Sequence, residues 1–166
     1  MLDRAITVSE NHQDAYTIHG EVELVAGRWK MLHQKAPDAE FRDALKWLEK
    51  ALELSPQFFE AWYSKARLYY RWAEWKLGTG QNAMQEIQRG LEMVKKVLEI
   101  NPNSGEMLGL RGVFLLFQAR SVSNHSQHNE LMRKAQSNLE DALRINANLS
   151  RTFLPYLKEA KASISN

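Results

Sequence analysis

Apolar residues in this chain recur at helical intervals. Ala44, Leu45, Leu48, Ala51 and Leu52 fall at i, i+1, i+4, i+7 and i+8, one face of a helix. Leu91, Val94 and Leu98 draw a second such stripe, and Ala135, Leu139, Ala142 and Leu143 a third. Each stripe stops at a short polar break: SPQ, NPNS or NAN. Pro56 and Pro102 turn the residue before them away from the α region, which ends the helix there. Beyond the breaks, and once before the first of them, the pattern predicts a further set of helices over 14–33, 60–77 and 106–122. The stretches HQKAPDA, GTGQN and SNHSQHN read as the connections back. A last amphipathic segment covers 151–164, and no segment alternates with the period of a strand. The expectation is an all-α chain of helix pairs, each a lead helix followed by a follow helix.

The follow helices end in related words. KALELSP, KVLEINP and DALRINA align, and RAITVSE near the start aligns with them. Ala5, Ala51, Val97 and Ala142 then stand 46, 46 and 45 residues apart, the sign of a repeat array. The lead helices repeat as well. Gly20, Ala66 and Gly112 are 46 apart, and so are Gly27, Ala73 and Ala119. Each glycine there costs roughly 1 kcal/mol of helix propensity against alanine. Close approach of the neighbouring follow helix is the reason to accept it. In the second copy Trp62, Ala66, Tyr69 and Ala73 alternate large and small along one face.

Composition narrows the function classes. The 166 residues include 22 basic and 20 acidic side chains, interspersed, for a net charge of +2. No basic block points to nucleic acid or to an anionic membrane. The chain has no cysteine, which excludes disulfides and thiolate metal sites and suits a reducing compartment. No signal-like stretch opens it, and the longest apolar run, 113–117, is too short to span a bilayer. The expectation is a soluble, cytoplasmic chain. His125 and His128 sit in what reads as a polar loop, with no Asp or Cys to complete a metal set, so they are expected to be solvated. Gly78 and Gly80 follow a helix rather than a strand, which suits a helix cap and turn better than a phosphate loop. No acid–base or nucleophile set emerges, so no enzyme activity, cofactor or metal is expected.

The small and aromatic positions resemble the tetratricopeptide repeat family. Trp62, Ala66 and Tyr69 match its lead helix, and Ala44, Leu48, Ala51 and Pro56 its follow helix. Leu108, Gly112 and Leu115, then Ala135, Leu139 and Ala142, match more weakly. The period is about 46 rather than 34, a length that also suits HEAT and armadillo repeats, Ala147 replaces the proline, and Glu23 stands where an aromatic or apolar residue belongs. The resemblance implies an α-solenoid of antiparallel pairs, a TPR-like superhelix, in one repeat domain over 1–166. Its parts are a partial follow helix over 1–10, pairs at about 11–56, 57–102 and 103–147, and a capping helix over 150–165. Because RAITVSE is only the end of a follow helix, the chain is expected to be a piece of a longer protein. Its closing text resembles the C-terminal repeat region of some bacterial serine/threonine kinases.

For function the resemblance implies a scaffold that holds a peptide or partner domain in its concave groove. The runner-up is an intramolecular regulatory role within a larger protein. Tyr63, Arg67, Tyr70 and Arg71 share a face of the second lead helix, and Tyr and Arg are residue types of binding hot spots. The alternative is that they pack on the next repeat or face water. Tyr63 and Arg67 stand where many members carry a Lys and Asn clamp for acidic tails, so that activity is expected to be absent. Val113, Leu116 and Phe117 make the third lead helix apolar nearly all round, and need a cover. Phe153, Leu154 and Leu157 of the closing helix are the first candidate cover, a bound partner the second. Leu2, Ile6 and Val8 lack their lead helix, so the N-terminal edge is expected either to contact a second copy, as a homodimer, or to belong against residues upstream.

Overall fold

The computed structural model describes residues 12–164. Among them are seven α-helices, one 3₁₀ turn and no strand. The helices are α1 (Gln13–Leu32), α2 (Asp38–Leu54), α3 (Phe59–Gly78), α4 (Met84–Ile100), α5 (Gly105–Ala119), α6 (His125–Ile145) and α7 (Ser150–Ile164), with the 3₁₀ turn at Ala147–Leu149. The chain is all-α with neighbouring helices packed together, as the periodicity requires. Its internal contacts fall into two compact units that part between Glu86 and Ile87. All five tryptophans (Trp29, Trp47, Trp62, Trp72 and Trp75) belong to the first unit. The expected follow-helix end at 1–10, and with it Leu2, Ile6 and Val8, lies outside the described residues.

In the first unit α1 and α2 form a hairpin. Gly20 faces Leu48 and Gly27 faces Phe41, so the two helices run antiparallel. A Cβ on Gly20 would stand 2.8 Å from Leu48 Cγ and 3.2 Å from the Ala44 carbonyl oxygen. In the second unit α5 and α6 repeat this contact: a Cβ on Gly112 would stand 2.7 Å from Leu139 Cγ and 3.0 Å from the Ala135 carbonyl oxygen. The recurring glycines are therefore the points of closest backbone approach, and the helix-propensity cost is offset by packing. Leu48 and Leu139, both fully buried, fill the space each glycine leaves.

Turn chemistry also repeats. At the end of α3 the Gly80 N–H bonds to the Leu77 carbonyl at 3.2 Å and the Gln81 N–H to the Lys76 carbonyl at 2.7 Å. With Gly80 at φ +71° this is a Schellman cap, the role expected of Gly78–Gly80. At the end of α1 the Gln34 N–H bonds to Met31 and the Lys35 N–H to Lys30 in the same way. There the left-handed position is held by Gln34 at φ +55°, 46 residues before Gly80.

An ion pair clamps each of these turns, and the sequence reading missed it. Lys30 Nζ lies 2.5 Å from Glu40 Oε1, and Lys76 Nζ lies 2.7 Å from Glu86 Oε1. Both pairs are the same repeat position, and both carboxylates are mostly buried. The third copy carries Val122 and Leu131 at the corresponding places.

The third pair departs from its predicted boundaries. Its lead helix stops at Ala119 rather than 122, and α6 already begins at His125. Asn124 caps it, its side chain accepting from the Gln127 N–H at 3.0 Å. SNHSQHN contains no Gly or Pro to prevent helix formation, so a strong N-cap starts the helix early. The two histidines are thus in the first turn of α6 and not in a loop. His128 is half-buried, with Nδ1 3.0 Å from the Ala119 carbonyl oxygen and Nε2 3.2 Å from Ser163 Oγ. No group of three or more His, Asp or Glu able to hold a metal occurs among the described residues. No described helix is long and apolar enough to cross a membrane.

Candidate functional site

Alternation of small and large residues along α3 puts Ala66, Tyr69 and Ala73 in the core. The adjacent face therefore has to point elsewhere. It meets α1 across an open cleft of about 640 Å³ in the first unit. Arg28, Met31, Leu32 and Gln34 line it from the α1 side; Arg71, Glu74, Trp75, Gly78 and Thr79 line it from α3 and its cap.

Charge in the cleft is unevenly shared. Arg28 has its pKa lowered from the ordinary arginine value, first by partial desolvation and then by the nearby guanidiniums of Arg71 and Arg67. Glu74 and then Tyr70 act the other way. Arginine remains charged under any ordinary condition, so the like charges are crowded rather than relieved. Arg71 donates to Glu74 Oε2 at 2.8 Å and lies 4.7 Å from the Tyr70 ring centroid. Tyr70 donates its hydroxyl to Glu74 Oε1 at 3.2 Å. Glu74 therefore holds Arg71 in position with both carboxylate oxygens engaged. Two guanidiniums from two helices, Arg28 and Arg71, line the same cleft, and Arg67 is near enough to act on Arg28, an arrangement suited to a carboxylate or phosphate. Met31, Leu32 and Trp75 give the same cleft an apolar wall. Trp75 Nε1 is buried and meets no acceptor among the described residues, an indole donor left unused beside that wall.

The four residues singled out on α3 have different fates. Arg71 lines the cleft, and Arg67 lies near enough to act on Arg28. Tyr70 is 4% exposed and serves as a support under Arg71 rather than as a contact surface. Tyr63 is half-buried, its ring 5.7 Å from that of Phe59, with the Arg67 guanidinium 5.9 Å from its centroid. Arg71 also pairs within its own helix, with Glu74. Arg28, Met31, Leu32 and Trp75 were not foreseen. One signal could have found Arg28: it is the repeat equivalent of Glu74, so adjacent lead helices carry opposite charges at one position.

The apolar trio on the third lead helix is buried rather than open in a groove. Val113 and Leu116 are fully buried and Phe117 is 2% exposed. Within the second unit α7 supplies cover: Tyr156 meets the Phe117 ring edge-on at 5.9 Å, and Phe153 packs where a Cβ on Gly109 would come within 2.2 Å of its ring. Phe153 and Leu157 are buried as expected, whereas Leu154 is 38% exposed and faces outward. On the helical wheel Leu154 falls beside Phe153 but past the edge of the packed face. Arg120 fastens the arrangement, donating to both carboxylate oxygens of Glu159 at 2.9 and 2.7 Å.

Comparison with known proteins finds no family model that matches the chain and no curated relative.

Proposed function

We propose that this chain is a protein-interaction module of the tetratricopeptide type, and that its first unit holds a partner segment in the α1–α3 cleft. The segment carries a carboxylate or phosphate beside an apolar residue. The anion sits among Arg28, Arg67 and Arg71, and the apolar side chain lies on Met31, Leu32 and Trp75. One observation carries the reading: guanidiniums from two successive lead helices converge on a cleft that also has an apolar wall. The repeated hairpins with glycine against leucine support the family, and the lack of cysteine supports a soluble chain in the reducing cytoplasm.

The test is fluorescence anisotropy against a peptide library in which Glu or phosphoserine is placed one to four residues from Leu or Phe. Peptides with both features bind, and those with the anion replaced by Gln or Ser bind at least tenfold more weakly. Arg28→Glu with Arg71→Glu weakens the best peptide by roughly 2 kcal/mol or more, the scale of hot-spot side chains, with ellipticity unchanged. Equal binding by this double variant, or no selection for an anion, overturns the reading.

A further inference from the structure

The outer face of α1 carries an apolar pattern that meets the peptide cleft only at its last member, Leu32. Ile18, Val22, Val25, Trp29 and Leu32 are 50%, 45%, 61%, 53% and 81% exposed. Their spacing alternates four and three residues over two heptads, the seam of a helix that packs lengthwise against another. The repeat gives this seam a reference. Ile18, Val22 and Val25 correspond to Leu110, Phe114 and Phe117 of α5, each no more than 2% exposed. Phe114 there packs onto Gly90 of α4, where a Cβ would come within 2.2 Å of its ring. The same register is thus a helix-covered surface in the second unit, while on α1 Ile18, Val22 and Val25 stay exposed and Trp29 has the His33 ring at 4.0 Å and Lys35 Nζ at 5.7 Å.

The polar flank of the seam indicates what does. Asp14, Glu21 and Arg28 follow one another at heptad spacing along the edge nearer α3, acidic first and basic last. Glu21 is fixed there by accepting from Ser64 Oγ at 2.8 Å. The opposite edge carries His19, Ala26 and His33. In a parallel pair unlike edges meet, and Glu21 would face Ala26. In an antiparallel pair like edges meet, and Glu21 of each copy falls opposite Arg28 of the other.

We infer that α1 is a self-pairing helix, which docks antiparallel on α1 of a second copy of this chain with the two-fold axis between Val22 and Val25. Val22 then packs on Val25 of the second copy and Ile18 on its Trp29, with two Glu21–Arg28 pairs closing the edge. The inference goes beyond the peptide reading and stands without it, because Val25 takes no part in the cleft.

Sedimentation of the full chain tests the pairing. The parent sediments as a dimer, and Val25→Glu becomes monomeric, its dissociation constant raised at least tenfold, with ellipticity and peptide binding unchanged. Glu21→Arg and Arg28→Glu each weaken the dimer about threefold to tenfold, the scale of two exposed ion pairs. Mixing those two variants restores it as a heterodimer. The absence of native cysteine makes single thiols clean reporters of direction. Under oxidation a mixture of Ile18→Cys and Trp29→Cys cross-links, while neither alone does. A strict monomer overturns the inference, and a Val25→Cys monomer shielded from thiol reagents assigns the seam to another segment of the chain instead. Cross-linking of Ile18→Cys with itself overturns the antiparallel direction.

Discussion

Lys30 and Glu40 meet at 2.5 Å across the α1–α2 turn, at the position where Lys76 and Glu86 meet 46 residues later. The Lys30 side chain is 33% exposed and that of Glu40 17%, so the pair gains Coulomb energy but gives up hydration. Losing one partner of such a pair costs more than losing both. Glu40→Ala is expected to destabilise the chain by about 1–3 kcal/mol, because Lys30 keeps its charge in a half-desolvated place. Lys30→Val combined with Glu40→Leu, which copies the third repeat, is expected to recover most of that loss. Chemical denaturation of the three proteins decides it, and a double variant weaker than the single one refutes the account.

Gln34 holds a left-handed backbone that Gly80 holds at the equivalent cap. A side chain in that region costs roughly 1–2 kcal/mol. Gln34→Gly is therefore expected to raise stability by about 1 kcal/mol, and Gly80→Ala to lower it by a similar amount. Thermal melting of both variants checks the opposite signs.

Gly27 and Gly78 differ in what surrounds them. A Cβ on Gly27 would stand 2.3 Å from Phe41 Cε1, in a ring that is fully buried, whereas nothing lies within 4 Å of one on Gly78. Gly27→Ala is expected to cost about 1–3 kcal/mol through overpacking, and Gly78→Ala to gain up to about 1 kcal/mol of helix propensity. The repeat also supplies a rescue. The second copy pairs Ala73 with Ile87 in sequence and the third pairs Ala119 with Met132, so Phe41→Met should relieve Gly27→Ala. A double variant no more stable than Gly27→Ala would count against the contact.

Acid should act on the closing helix. Glu140 of α6 accepts from Lys161 of α7 and from Gln136, which lowers its pKa below the ordinary carboxylate value. A depressed folded pKa gives stability that is present above the unfolded value and lost as pH falls through the folded one. Both side chains are about half exposed, so the contribution is small. Glu140→Gln is expected to cost no more than about 0.5 kcal/mol at neutral pH and nothing once the carboxylate is protonated. Melting curves at pH 7 and pH 2.5 measure the difference.

Helices and their packing faces were legible because a period of 3.6 and a period of 46 each leave a mark on residue type. Gly20 and Gly112 announce a close approach, and Leu48 and Leu139 answer it at fixed distances along the chain. The early start of α6 was less legible, since one Asn side chain outweighed a polar composition. The cleft was legible only in part. Arg71 and Arg67 lie on a single helix and share a face by spacing alone. Arg28 joins them through the angle between two helices, which no spacing within one helix encodes. The burial of Phe117 was a question of which neighbour arrives first, and Tyr156 of α7 meets its ring inside the second unit.

The confinement of every tryptophan to residues 29–75 makes the chain its own half-selective optical probe. Indole emission, excited at the red edge where tyrosine is dark, reports on the first unit alone. Far-ultraviolet ellipticity sums helices from both. Two denaturation curves recorded on one unlabelled sample therefore contain the stability of each unit, and any gap between their midpoints measures how independently the second half melts.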